Sequence, residues 1–457
     1  MDWQNVAGLA EEHVAFLSVF AGCFARSEGR EHLWRYSAGQ LSDLPRKSVE
    51  PMADLHGIPP RTLQDFLATH RWDHTLAWQI LQRKVAAEHA DEAAVGLIDE
   101  TSFPKDGAKT VGVQRQYCGA LGKKDNCVVS VHVGYCWDQG QRHCTLASDL
   151  YLPQSWLDDT QACREAGVPE ELTFRTKWQI ALDLIGQALG NGIRCAWWTF
   201  DEGYGGIPEF LQKLTALGQR WVAEVPKSVM GWLVEPTVLQ RGAYQGRGRP
   251  RRYPRLAKKS LPACRLDDLL KHSPLLREVP WQNFYIKDTH KGPLVWQAKA
   301  HRIYLKEPHA AGERLPGPQA VPGLELWLIV AKNPLTREIK YFLSNAAAGV
   351  PLEVLLRVAF SRWHIERCFQ DEKGELGLDH FECRRYVAVQ RHLLLTAISH
   401  LFLAQVKQRL EQRGEKESLV VPVGSGHANG ADQPPPASPG AVAGTPADHA
   451  DHRAYAA

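Results

Sequence analysis

Two aspartates and one glutamate stand out by where they sit. Asp99 closes the apolar run VGLID and Asp201 closes the apolar run IRCAWWTFD, so two strands that are otherwise buried each carry a carboxylate to the edge of a sheet. An isolated ionised carboxylate in apolar surroundings is costly, which is why such groups are normally paired, hydrogen-bonded or metal-bound. Either aspartate alone reads as a turn or helix-capping residue after a strand; two in the same context point to a shared role. The third acid, Glu366, lies in the helical pattern PLEVLLRVAFSRWHIERCFQDEKGE. Arg362 stands four residues before it and Lys373 seven after, roughly along one helical face.

Carboxylates from two strands and a helix suit two Mg²⁺ or Mn²⁺ ions, hard cations that take oxygen ligands and keep positions for water and phosphate. Such a pair, about 4 Å apart, activates an attacking water or 3′-hydroxyl and stabilises the leaving oxygen of an in-line phosphoryl displacement. Arg362 and Lys373 would then face a negatively charged backbone. Two rival readings use the same residues. The helix can be an ordinary amphipathic surface helix with salt bridges, and paired acids also serve glycosidases as general acid and base. The basic companions fit phosphate better.

The elements that must position these acids can be read along the chain, which at 457 residues is long enough for two or three folding units. Residues 1–94 have helical periodicity. Within them SVEPMADLHGIPPRTLQDFLATH predicts a short helix, a turn at Gly57 and a second helix that presents Arg61, Thr62 and Gln64 early, the outline of a DNA-reading helix-turn-helix or, equally, of the two-helix corner common in helical domains. From Val95 the texture turns to strands, with a hairpin around Gly-Lys-Lys-Asp-Asn, and then to strand-helix alternation; this predicts a mixed α/β sheet over 95–226. A proline-rich, mostly β interruption covers 227–320, core elements resume over 321–414, and 415–457 reads as a disordered tail.

Charge is informative in its distribution. The net charge is only +3, yet Arg247, Arg249, Arg251 and Arg252 lie in a stretch from Arg241 to Lys259 that contains no acid. Arginines among glycines can follow a phosphate backbone and release counterions; a solvated basic loop is the alternative. No apolar run approaches the ~18 residues of a membrane span, and the N-terminus lacks the pattern of a secretory signal, so a cytoplasmic, nucleoid-associated protein without membrane contact is expected. Ten cysteines include no C-x-x-C pair, and the spacing of Cys118, Cys127, Cys136 and Cys144 fits no common zinc knuckle, which leaves them as buried thiols in strands. GALGKK lacks the phosphate-loop spacing, so no nucleotide cofactor is expected.

Taken together, these residues resemble the DDE superfamily of insertion-sequence transposases, in the branch with a Tyr-x2-Arg-x3-Glu-x6-Lys box. Arg362, Glu366 and Lys373 match the box, LIDET looks like the first-aspartate strand, QYCGALGKKDNC like the hairpin after it, and FDEGYG like the second-aspartate motif. The box tyrosine is replaced by Ala359, with Phe360 beside it. The resemblance implies an RNase H-like catalytic core with an inserted, mostly β domain, preceded by a helical DNA-binding domain. It implies catalysis by Asp99, Asp201 and Glu366 with Mg²⁺ or Mn²⁺, double-stranded DNA as partner (the element's terminal inverted repeats and the target), and a homodimer that pairs two ends. The alternative from another class is a catalytically inactive, transposase-derived DNA-binding or regulatory protein.

Overall fold

Apolar residues at helical spacing build five helices at the start of the described chain: α1 (Leu9–Ser18), α2 (Ser27–Leu41), α3 (Val49–Leu55), α4 (Pro60–Ala68) and α5 (His74–Glu88). The computed structural model describes residues 8–239, 254–289, 292–306 and 322–419. Arg247, Arg249, Arg251 and Arg252 therefore lie outside the described residues, as do residues 420–457 of the expected tail. Local chemistry sets the helix ends. Gly57 turns the chain between α3 and α4 at φ +62°, a conformation that side chains with a Cβ rarely adopt. Pro60 opens α4 where no backbone donor is needed, and the Asp73 carboxylate caps α5 by accepting from the Leu76 amide at 2.8 Å.

The strand region follows as β1 (Val95–Pro104), β2 (Gln114–Cys118), β3 (Lys123–Trp137) and β4 (Arg142–Tyr151). The expected hairpin is present, with its turn at residues 119–122 and the two lysines already in β3. Next come α6 (Gln154–Asp158), α7 (Thr160–Ala166), α8 (Lys177–Gly190), β5 (Trp197–Phe200), α9 (Glu202–Gly205), α10 (Pro208–Ala216) and β6 (Trp221–Val225). The proline-rich interval holds β7 (Met230–Trp232), β8 (Val238–Leu239), β9 (Arg255–Leu256), β10 (Cys264–Arg265), α11 (Leu266–His272), α12 (Pro274–Arg277), β11 (Gln282–Thr289) and β12 (Gly292–Lys306). The chain then returns through β13 (Pro322–Lys332), β14 (Ile339–Ser344), α13 (Leu352–Ser361), α14 (Trp363–Leu376) and α15 (Tyr386–Leu419).

Among the described residues one mixed sheet runs in the order β10-β7-β12-β13-β14-β6-β5-β1-β3-β2, with β11 on β12 and β4 on β3. β1 pairs antiparallel with β3 and parallel with β5, which pairs parallel with β6. β7, β10, β11 and β12 of the proline-rich interval are thus continuous with the sheet, joined to it through β12 and β13, whereas β8 and β9 pair with each other in a separate two-stranded sheet. Successive residues of β1 face opposite sides. Ile98 packs in one core with Ile180 and Leu184 of α8, whereas Leu97 packs with Ile365, Cys368 and Phe369 of α14. The described residues up to Arg409 form one compact unit.

Three features differ from the sequence reading. β1 continues five residues past Asp99, because ETSFP keeps pairing with β3. The single helix expected over PLEVLLRVAFSRWHIERCFQDEKGE is two helices that meet at Arg362. α15 is long and apolar enough to cross a membrane by length and composition over Tyr386–Gln412, although 83% of its most apolar window is buried inside the protein.

The polar side chains of α15 explain that burial. Tyr36 Oη and His392 Nδ1 are 2.8 Å apart, Ser37 and Ser399 hydroxyls 2.8 Å apart, and Gln40 donates to Thr396 Oγ1 at 2.8 Å while accepting from Ser399 at 3.0 Å. These bonds satisfy groups that would be costly to bury alone and fix α2 against α15. Arg391 reaches the end of α4 and donates to the carbonyls of Phe66, Leu67 and Trp72 at 3.2, 2.9 and 3.1 Å. Replacing Arg391 by Met keeps the stem but strands these carbonyls, and should lower unfolding free energy in urea by about 3 kcal/mol.

Candidate active site

The register of three adjacent strands brings acids from distant parts of the chain into one row. Ile98 of β1 lies beside Phe200 of β5, and Phe200 beside Ala223 of β6. The next residue in each case is an acid: Asp99, Asp201 and Glu224. Neighbouring strands are about 4.8 Å apart, so this register sets the acids side by side. Alternation along β1 puts Asp99 on the same face as Leu97, the face covered by α14. β5 stops at Phe200, so Asp201 lies at the carboxyl end of its strand, where open α/β sheets form binding crevices, while Asp99 stands in mid-β1 and Glu224 one residue before the end of β6.

Asp201 is fixed by the turn that follows it. Its Oδ1 accepts from the amides of Gly203 at 3.0 Å and Tyr204 at 3.3 Å, capping the short α9. Gly205 closes the turn against β6, and a Cβ there would lie 2.0 Å from the backbone oxygen of Glu224. The glycines of FDEGYG therefore hold the second aspartate against the strand that bears Glu224.

Arg362, at the junction of α13 and α14, occupies the centre of the acids. Its guanidinium donates to Asp99 Oδ2 at 3.2 Å and pairs with Glu366 Oε1 at 2.8 Å; Glu224 Oε2 is 3.9 Å from its Nε. Glu366, in the first turn of α14, keeps 58% of its side chain exposed, so it borders the row from the solvent side. Burial and the neighbouring Asp201 charge push the Asp99 carboxyl up to about 8, against the opposing pull of Arg362. Burial also raises Asp201, with Arg362 and the two turn amides opposing. Burial alone would lower Arg362, yet Asp99, Glu366, Glu224 and Asp201 together hold it above its ordinary value. The donor set is all carboxylate oxygen, the set hard divalent cations take, and the penalty on ionising Asp99 is one a divalent cation relieves.

The sequence-predicted residues distribute as follows. Asp99, Asp201, Glu366 and Arg362 meet. Lys373 is half-buried two turns further along α14, its ammonium 5.7 Å from the centroid of the Phe103 ring, and burial lowers its pKa. Arg61 and Gln64 are exposed on α4, Arg61 paired with Asp65 at 2.8 Å, and Thr62 is half-buried. Cys118, Cys127, Cys136 and Cys144 are buried free thiols in strands. Glu224 was missed, although a lone charge inside the apolar strand WVAEV was the available signal. It is also anchored by Lys340 at 2.7 Å. Trp363 was missed as well; it is partly exposed beside Arg362, with the Lys287 ammonium 3.4 Å from its ring centroid.

Known proteins share sequence with the part of the chain that carries two of these acids. Residues 19–292 match the family described as DDE superfamily endonuclease, and the chain belongs to that family. The match contains Asp99 and Asp201 and ends before Glu366. A curated relative, the probable transposase for insertion sequence element IS701 of Microchaete diplosiphon, is 37% identical over 161 residues, which are 34% of this chain and 38% of that protein. The aligned region thus spans well under half of the relative. A solved structure, the cryo-EM piggyBac transposase synaptic complex with hairpin DNA, aligns over 87% of this chain and 74% of its own at 11% identity with a TM-score of 0.33, too loose a superposition to define a shared fold.

The raised Asp99 pKa has a measurable sign. The folded carboxyl keeps its proton up to about 8 whereas the unfolded one releases it near 3.8, so the native state binds more protons across that window and stability falls as pH rises through it. In metal-free buffer the Tm should decline between about pH 5 and about pH 8. The rise in Tm given by millimolar Mg²⁺ should be larger at the upper pH, where no proton competes, and Asp99→Asn should flatten both trends in a thermal melt.

Proposed function

We propose that this chain is a DNA transposase that cleaves the ends of its own insertion sequence and transfers the freed 3′ ends to target DNA. The observation that carries the reading is the meeting of Asp99, Asp201 and Glu366 around Arg362, where the end of β5 lies beside the middle of β1. Membership of a DDE endonuclease family supports it. Asp99, Asp201 and Glu366 would hold two Mg²⁺ or Mn²⁺ ions, which when bound supply an activated water or 3′-hydroxyl and charge stabilisation at the leaving oxygen.

The chain's own residues have separable tasks. The Gly203 and Tyr204 amides hold Asp201 Oδ1 and so fix the carboxylate, whose Oδ2 would serve as a metal ligand. Arg362 neutralises the acids while they wait and then offers its guanidinium to a backbone phosphate. Glu224 acts through Arg362 and orients it. Lys287 and the exposed ring of Trp363 extend a cationic and aromatic surface suited to nucleic acid, and Lys373, further along α14, would contact DNA separately. Arg61, Thr62 and Gln64 on α4 would read the element ends, the second helix of a helix-turn-helix. Arg247, Arg249, Arg251 and Arg252 would follow the phosphate backbone.

The core is proposed to be RNase H-like. The order β4-β3-β1-β5-β6, antiparallel in its first part and parallel in its second, supports that assignment. Residues 95–226 and 321–414 would form it, 227–320 would be the β insertion, and 1–94 the DNA-binding region. Two subunits would pair the two element ends.

The test is incubation of purified protein with a plasmid carrying the element's native flanking ends, in Mg²⁺, in Mn²⁺ and in EDTA, with strand breaks mapped. Metal-dependent breaks at the element boundary are expected. Asp201→Asn and Glu366→Gln should each reduce them at least about a hundredfold, and Glu224→Gln about tenfold, as for a residue that orients another. Full cleavage by Asp201→Asn would sink the assignment. Specific end binding without breaks in any metal would mark instead a catalytically inactive, transposase-derived DNA-binding or regulatory protein.

A further inference from the structure

Asp371 lies five residues beyond Glu366 on α14, about 7.5 Å along the helix axis and about 140° around it, and so on a different face. Two histidines meet it there, His143 of β4 and His400 of α15. His143 Nε2 is 3.0 Å from Asp371 Oδ2, and one ligand-capable atom from each of the three residues lies within 4.8 Å of the others. The acid row uses none of them.

The outer atoms of this group are already occupied. Glu372 Oε1 is 3.0 Å from His400 Nδ1, and Arg367 Nε is 2.8 Å from Asp371 Oδ1. That leaves His400 Nε2 and Asp371 Oδ2 as the inward atoms, the arrangement in which carboxylates and their partners orient metal-binding side chains. Glu372 is 1% exposed, so its bond to His400 is shielded from water. His143 Nδ1 is buried without a hydrogen-bond partner, as is Nδ1 of His364, whose ring centroid is 6.0 Å from that of His143. His143 Nδ1 is on the opposite side of its ring from the Nε2 that meets Asp371, so the inward atoms of the group are His143 Nε2, Asp371 Oδ2 and His400 Nε2.

We propose that His143, Asp371 and His400 bind one transition-metal ion of the Zn²⁺ type, separate from the acid row, which clamps α14 between β4 and α15. Two imidazoles and one carboxylate suit Zn²⁺, whereas Mg²⁺ prefers an all-oxygen set. A tetrahedral ion with ligands at 2.0–2.1 Å holds them about 3.3 Å apart. The 3.0 Å pair already satisfies this, and the widest separation must close by about 1.5 Å, within the reach of side-chain rotation. The ion would hold the helix that presents Glu366 at a point beyond the catalytic crevice.

The test uses the full chain carrying Asp99→Asn and Asp201→Asn, so that the acid row cannot compete, stripped with chelator and titrated with Zn²⁺ or Co²⁺ in excess Mg²⁺. One equivalent should bind, with tetrahedral Co²⁺ absorption in the visible and a raised Tm. His143→Gln and Asp371→Asn, added singly, should weaken binding at least about tenfold while circular dichroism stays native. If His143→Gln fails to fold, the half-buried Asp371→Asn decides. Absence of binding, equal binding by Asp371→Asn, or a thiolate-to-cobalt charge-transfer band would overturn the proposal, the last by assigning the ion to cysteines.

Discussion

Like charges held side by side in a poorly hydrated place constrain everything around them. Asp99, Asp201 and Glu224 stand in one row because three strands are in fixed register, and no side-chain rotation can move them a strand apart. Their mutual repulsion is offset by a guanidinium inserted from the opposite side, at the junction between two helices. At Arg362, where the two helices meet, the backbone keeps helical dihedrals of φ −50° and ψ −35°, and its guanidinium reaches Asp99 while Glu366 stays near solvent. The turn after β5 serves the same end from the sheet side, with its glycine pressed against the β6 backbone.

What the sequence made legible follows from locality. Asp99 and Asp201 could be found because each ends an apolar run, a pattern written in consecutive residues. Glu366 could be found because Arg362 and Lys373 flank it at helical spacing. The start of α4 at the prolines, the Gly57 turn and the hairpin were legible for the same reason. The continuation of β1 past Asp99 was not, since its partners are contributed by β3 across the hairpin. Glu224 showed only as a lone charge in an apolar strand, because the pairing of β5 with β6 is what makes it a neighbour of Asp201. His143, Asp371 and His400 had no shared pattern at all; three elements meet there that are far apart in the chain.

The proline-rich interval shows the same limit in reverse. Its composition marks it as an interruption of the core, and it does lie between β6 and β13. Yet β12 carries on the sheet that β13 and β14 belong to, so the interruption in sequence is a continuation in space. Lys287 from this interval reaches the exposed ring of Trp363 beside Arg362. The surface next to the acids is therefore built from both.

The polar seam between α2 and α15 has a consequence for how the protein is made. Gln40 and Thr396, which bond to each other, are separated by 356 positions. A ribosome adding about 5–20 residues per second needs roughly 20–70 s to connect them. Until then α2 has no partner for its buried polar groups, and the end of α4 has no Arg391 to hold it. The helices that emerge first are accordingly finished last, and a nascent or truncated chain ending before α15 would expose an uncompleted seam to chaperones and proteases.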